Sequence, residues 1–222
     1  MTRLFVSEEE FLATIRVPQE GITDVFFDSD VTGINENVLI STSCIKKRIS
    51  GLADEIVAKN DFVKSGKELD ILIVLSGSLL FASDLSRELY ERHKVNVRTH
   101  FIKLSYYGNS VKSSKQNREI KVEMTPADMD VESLVIVEDI IDQGFTLQWM
   151  LEYLELVRSV KNIQICTLLN KELNNPSKEV KEIRSKIKID YSGFVIPDIW
   201  VAGYGMDVEQ KYRNVPFIFK AD

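Results

Sequence analysis

SLVIVEDIIDQGFT, residues 133–146, runs an unbroken apolar stretch into Glu138 and Asp139, adds a third acid at Asp142, and turns at Gly144 toward a helix. A strand ending in acids places them at its tip, where ligands sit in open α/β sheets. The stretch therefore predicts both a buried strand and a site.

The same rhythm recurs on either side. DILIVLS (70–76) leads into GSLLFASDLSRELYERH (77–93), and SLVIVED leads into FTLQWMLEYLELVRSV (145–160), followed by IQICTLLN (163–170). Apolar strands without alternation are buried on both faces, and helices between them imply right-handed parallel crossovers. The fold class is α/β, with a mainly parallel sheet flanked by helices.

Between these units VNVRTHFIKLSYYG (95–108) alternates like a strand with one wetter face. The polar YYGNSVKSSKQNRE (106–119) and the return strand IKVEM (120–124) complete a hairpin with a flexible tip. Upstream, Ser7 and Glu10 form a capping-box pattern before Phe11, Leu12 and Ile15, which predicts a short helix ending before Pro18. ITDVFFDSD (22–30) and NVLIS (37–41) read as strand pieces, and Cys44, Ile45, Ile49, Leu52, Ile56 and Val57 recur at helical spacing. SKEVKEIRSKIK (177–188) predicts a surface helix, after which short strands mix with Gly and Pro turns.

The 222 residues, 44% hydrophobic and 28% charged, suit one globular domain with a small appendage. A net charge of −6 excludes a general pull toward nucleic acid or anionic membrane. Cys44 and Cys166 lack the spacing of a zinc site or a disulfide framework and read as core thiols of a reduced compartment. MTRLFVSEEEFLATI turns acidic where a signal peptide needs its apolar stretch, and no apolar run is long enough to span a bilayer. The expectation is a cytoplasmic protein.

Glu138 and Asp139 suit sugar hydroxyls, a metal or a base N–H, since carboxylates only accept and repel phosphate. DQGFT (142–146) is different: Gly144 lets the backbone bend closely, and a helix N-terminus with the Thr146 hydroxyl favours an anion. Hydroxyl acceptors beside an anion cradle fit a sugar phosphate. The plainer alternative is a polar strand end with Asp142 as helix N-cap.

The string VIVEDIIDQGFT resembles the phosphoribosyl pyrophosphate (PRPP) binding motif of type I phosphoribosyltransferases, most closely in the form found in hypoxanthine-guanine phosphoribosyltransferases. Three more segments match that family in order: VLSGSLLFASDL (74–85) resembles its pyrophosphate loop, LSYYGN (104–109) its flexible catalytic loop, and GFVIPDIWVAGYGMDVEQKYRN (193–214) its purine-binding hood. The resemblance implies a type I phosphoribosyltransferase fold over 1–222, with a core of about 40–175 and a hood from about 1–35 and 176–222.

It also implies a reaction and its parts. The family transfers ribose 5-phosphate from PRPP to N9 of a 6-oxopurine with Mg²⁺ bound, giving IMP or GMP and pyrophosphate. By resemblance Glu138 and Asp139 hold the ribose hydroxyls and metal, and Asp142 is the general acid/base near purine N7. Gln143, Gly144, Phe145 and Thr146 wrap the 5′-phosphate. Leu75, Ser76 and Gly77 form the pyrophosphate loop, where the family often has a non-proline cis peptide, and Arg213 meets pyrophosphate oxygens.

On the base side, the resemblance has Lys171 donating to O6, Trp200 stacking on the ring and Val201 contacting its edge. Asp207 lies at the purine side and ligates Mg²⁺. Ser105 and Tyr106 belong to a catalytic lid that keeps water from an oxocarbenium-like centre. Each has a plainer reading when taken alone: Lys171 as a solvated cation, Trp200 as core packing, Ser78 as a helix cap, Asp207 and Arg213 as surface charges.

The family usually has Thr and Lys where this chain has Gln143 and Phe145, and often Lys in place of Ser76. Those departures bear on PRPP affinity and keep open a non-catalytic nucleotide-binding regulator of the same fold. A xanthine-preferring enzyme is the third reading. The resemblance further implies a homodimer or homotetramer.

Overall fold

The computed structural model describes residues 38–107, 119–126 and 129–221. The helix expected around Phe11, the strand piece at 22–30 and the tip of the loop hairpin lie outside the described residues.

The main sheet has six strands. Its spatial order is β4 (Glu119–Met124), β3 (Val97–Tyr107), β2 (Leu69–Leu75), β5 (Ser133–Ile141), β6 (Asn162–Glu172), β7 (Tyr191–Pro197). Every neighbouring pair is parallel except β3 and β4, which form the expected antiparallel hairpin. Alternate residues of the apolar strands serve opposite faces. Ile71, Ile73, Val135 and Val137 face a layer made by α1 (Thr42–Lys59) and α3 (Leu79–His93), where Ile45, Ile49, Leu52, Phe81 and Leu85 are fully buried. Leu72, Val74, Leu134 and Ile136 face α4 (Phe145–Leu156) through Leu147, Met150 and Leu154. Both faces are covered, which is why neither strand alternates in sequence.

Local chemistry starts the helices. Ser41 caps α1 by accepting from Cys44 N–H, and Asn60 caps the short α2 (Asp61–Lys64) by accepting from Val63 N–H. Arg48 on α1 is buried but fully engaged: Nε donates to Gly193 O at 3.0 Å, Nη2 to Ser192 O at 2.6 Å and Nη1 to Glu55 Oε1 at 2.7 Å. It ties α1 to β7.

That last strand moves the boundary expected from sequence. The main sheet continues through β7 to Pro197 rather than stopping near 175, with α5 (Lys178–Lys186) as its crossover. Gly193 and Pro197 make the segment read as turn-rich. Yet a Cβ at Gly193 would lie 2.3 Å from Leu168 O, so the glycine is what lets β7 lie against β6.

A second, antiparallel sheet of three short strands forms the hood: β1 (Val38–Ile40), β9 (Ile218–Lys220) and β8 (Val201–Ala202), in that order. Ala202, Phe217, Phe219 and Ala221 give it a small core of its own. No helix among the described residues is long and apolar enough to cross a membrane.

Candidate active site

The carboxyl ends of β2, β5 and β6 converge with the hood. β2 ends at Leu75, the Leu75–Ser76 peptide is cis, and the chain passes Gly77 before entering α3. Gly77 lies directly against the acid cluster, since a Cβ there would sit 1.8 Å from Asp139 Oδ2. Ser78 stands at the N-cap position of α3, as the plainer reading had it, but its side chain makes no cap bond; its hydroxyl donates back to Val74 O and is fully buried. The loop is thereby folded onto its own strand.

Glu138, buried, and Asp139, partly buried, stand side by side at the end of β5. Burial pushes the Glu138 carboxyl well above the usual range, with the Asp139 charge and their mutual hydrogen bond adding to it. Burial also raises Asp139, opposed by hydrogen bonds and by the charge of Arg213. Glu138 Oε2 is buried with no hydrogen-bond partner among the described residues. Two desolvated carboxyls with an orphaned oxygen fit a cation or ribose hydroxyls, which would supply what the protein leaves out.

Three residues on, Asp142 stands at 42% side-chain exposure and accepts from Lys171 Nζ at 3.1 Å. Lys171 itself is only 6% exposed, with Asp198 Oδ1 4.0 Å away. It is not the solvated lysine of the plain reading. Nor does Asp142 cap α4: that position belongs to Gly144, at φ +90°. A Cβ on Gly144 would approach Ile187 Cδ1 to 2.8 Å, so the turn is packed from below as well as left-handed. The helix it opens carries no acid in its first turn, leaving the positive end of its dipole to an anionic guest. Gln143, Phe145 and Thr146 complete this turn.

The hood packs against the loop at Gly77 through a run of left-handed residues. Gly203, Tyr204 and Gly205 all have positive φ, and a Cβ on Gly205 would lie 2.0 Å from Gly77 O. Tyr204 Oη donates to Asp84 Oδ2 on α3 at 2.6 Å, fastening the turn. Arg213 Nη1 donates to Gly205 O at 2.7 Å, while its Nη2 pairs with Asp207 Oδ1 at 2.6 Å. Asp207 and Arg213, expected as separate contacts to metal and pyrophosphate, hold each other here. Each has oxygens or nitrogens that must be exchanged for such ligands.

Trp200 is 56% exposed beside the buried Val201, so it is not core packing. Ser105 and Tyr106 lie within β3, their backbones paired with Lys121 and Ile120 at the hairpin's outer end, rather than in a loop. Among the described residues no three His, Cys, Asp or Glu side chains gather as a closed metal site. Gly77 and Asp139, Asp142 and Lys171, Gly144, and Arg213 with Gly205 thus stand at the carboxyl ends of β2, β5 and β6 and on the hood turn against them. Sequence reasoning passed over Tyr204, Gly205 and Asp198, although GYG (203–205) is the glycine-flanked aromatic that signals such a turn.

The phosphoribosyl transferase domain family matches residues 41–209. The hypoxanthine phosphoribosyltransferase of Escherichia coli strain K12 is 37% identical over 185 residues, covering 82% of this chain and 93% of that one. The hypoxanthine-guanine phosphoribosyltransferase of Mycobacterium tuberculosis strain H37Rv is 32% identical over 193 residues, covering 84% and 86%. A crystal structure of a hypoxanthine-guanine phosphoribosyltransferase from Bacillus anthracis superposes with a TM-score of 0.68 at 32% identity, over 84% of this chain and 99% of that one. With the acid-tipped strand, the glycine turn and the hood in the same order and the same fold, the chain belongs to the phosphoribosyl transferase family, among the hypoxanthine and hypoxanthine-guanine phosphoribosyltransferases.

Proposed function

We propose that this chain carries out purine salvage, transferring the 5-phosphoribosyl group of PRPP to N9 of hypoxanthine or guanine. The C1′–O bond to pyrophosphate breaks with its electron pair leaving on pyrophosphate, the C1′–N9 bond forms, and the purine gives up one proton. The observation that carries this reading is the Asp142–Lys171 pair at the tips of β5 and β6, between the Glu138 and Asp139 carboxyls and a helix-opening glycine turn.

The roles follow from what each group can do. Asp142, partly exposed, takes the purine proton as general base and returns it in reverse. Lys171, a donor without acceptor capacity, favours a 6-oxo group over the 6-amino group of adenine. Trp200, exposed, stacks on the ring, and Val201 makes its edge contact. The turn Gln143–Thr146 takes the 5′-phosphate through backbone N–H groups, and Leu75, Ser76, Gly77 and Arg213 take pyrophosphate. Ser105 and Tyr106, on the hairpin, belong to the lid.

Glu138, Asp139 and Asp207 would hold Mg²⁺; the orphaned Glu138 oxygen fits that use. The ion would neutralise charge on the leaving pyrophosphate. A reducing compartment suits a chain whose two cysteines form no disulfide, and the cytoplasm is the proposed location. A homodimer or homotetramer is the proposed assembly, to be read by light scattering.

The test is turnover with PRPP and Mg²⁺ against hypoxanthine, guanine, xanthine and adenine in parallel. Conversion of hypoxanthine or guanine but not adenine is expected. Nucleotide binding without turnover of any base would replace this reading with that of a regulator.

A further inference from the structure

Arg184 is a residue to which the reaction assigns no part. It lies in the last turn of α5, whose Val180 and Ile183 are buried and whose N-cap is Ser177. Its guanidinium Nη2 donates to Asn170 Oδ1 at 2.5 Å and to Lys171 O at 3.3 Å, while Nη1 donates to Ile141 O at 3.3 Å. Ile141 precedes Asp142, and Asn170 precedes Lys171.

The place of these bonds matters. Pairing between β5 and β6 ends at Ile141 opposite Asn170. Beyond that pair no strand ladder fixes the distance between the two tips, yet Asp142 and Lys171 stand just beyond it. A guanidinium reaching both strands takes over at the step where the ladder stops. Its planar fork suits this better than a flexible ammonium would.

Resting on the reading of this cleft as a purine nucleotide site, we propose that Arg184 is a positioning residue for base recognition, setting the spacing of Asp142 and Lys171 by bridging the ends of β5 and β6. Burial lowers the affinity of its guanidinium for the proton and the charge of Asp142 restores part of it, in keeping with a cation facing that carboxylate. The aliphatic stem has a separate task. Arg184 Cδ lies 3.3 Å from where a Cβ on Gly144 would be, under the phosphate turn. Methionine keeps an apolar stem there and removes the hydrogen bonds together with the charge.

The experiment measures dissociation constants of IMP and of ribose 5-phosphate, which lacks the base, by calorimetry on the wild type, R184M and R184K. For R184M we expect IMP to weaken at least tenfold with ribose 5-phosphate unchanged within twofold, and for R184K an intermediate loss with the same split. In turnover the purine KM rises while the PRPP KM stays put. Equal losses for both ligands would reduce Arg184 to a support of the phosphate turn and overturn the proposal, as would no loss for either. Should R184M fail to fold, R184K and N170A are judged by the same split. A wild type that binds neither compound would sink the nucleotide reading and this role together, whereas a wild type that binds both with an R184M indistinguishable from it would sink this role alone.

Discussion

Lys171 Nζ donates to Asp142 Oδ2 at 3.1 Å, so a nearly buried cation is neutralised by a carboxylate that is partly exposed. The two groups proposed for opposite tasks on the purine thus hold each other. A 6-oxopurine offers both an acceptor to the lysine and a nitrogen to the acid, and so can replace their contact without leaving either unpaired.

Asp142→Asn is expected to lower kcat by about 10²–10⁴-fold, the usual range for a lost general acid/base. Lys171→Gln should instead raise the KM for hypoxanthine and relax the preference over adenine. Steady-state kinetics on the two variants separates these patterns, and equal effects on kcat and KM from both would sink the division of labour.

Gly77→Ala places a methyl group 1.8 Å from Asp139 Oδ2. Either the loop or the carboxylate must shift. Crowding of this kind costs about 1–3 kcal/mol, and the shift falls on Asp139 and its neighbour Glu138. The variant should unfold cooperatively at a lower temperature and lose most of its kcat/KM for PRPP; wild-type kinetics would show that the loop does not press on Asp139 in solution.

Glu138→Gln removes a buried acid whose Oε2 has no hydrogen-bond partner among the described residues. Without ligands the amide should fold as well as the wild type or better, because no charge is left to desolvate. The rise in melting temperature produced by PRPP with Mg²⁺ should shrink. Thermal unfolding with and without the pair reads both effects, and a full ligand shift in the variant would remove Glu138 from the site.

Tyr204→Phe breaks the 2.6 Å bond to Asp84 that fastens the hood turn to α3. The loss is about 1.5 kcal/mol, the lower end for a bond to a charged acceptor. Burial first, then the bond to Asp84, push the Tyr204 phenol far above its usual range, and burial pushes Tyr191 up to about 12. Since unfolded phenols ionise near about pH 10, the stability these groups contribute is full below that pH and is lost as pH rises through the folded values. Urea unfolding at about pH 8 and about pH 11 should show a steep alkaline decline in the wild type and a shallower one in the phenylalanine variant.

The chain's own pattern displays much of this design. Residues 133–146 announce the strand, its acids and the turn at Gly144 because burial on both faces and a glycine turn leave direct marks on composition. The loop at Gly77 is legible as a turn, but the reason for its glycine lies in Asp139, far along the sequence. Arg48 and Arg184 look like surface cations on helices; only tertiary packing turns them inward, onto Ser192 and Gly193 in one case and onto Ile141 and Lys171 in the other. The β7 segment hides for a related reason, since Gly193 answers to the carbonyl of Leu168 rather than to any local rule.

The hood sheet sets an order on biosynthesis. β9 is its middle strand, and β1 and β8 pair with β9 and not with each other. Every described strand of the main sheet has been made once Pro197 has left the ribosome, whereas β1, made long before, must wait for Ile218–Lys220 to find its partner. A nascent chain can therefore fold the main sheet, with the carboxylates at its strand ends, before Ile218–Lys220 lets the second sheet form.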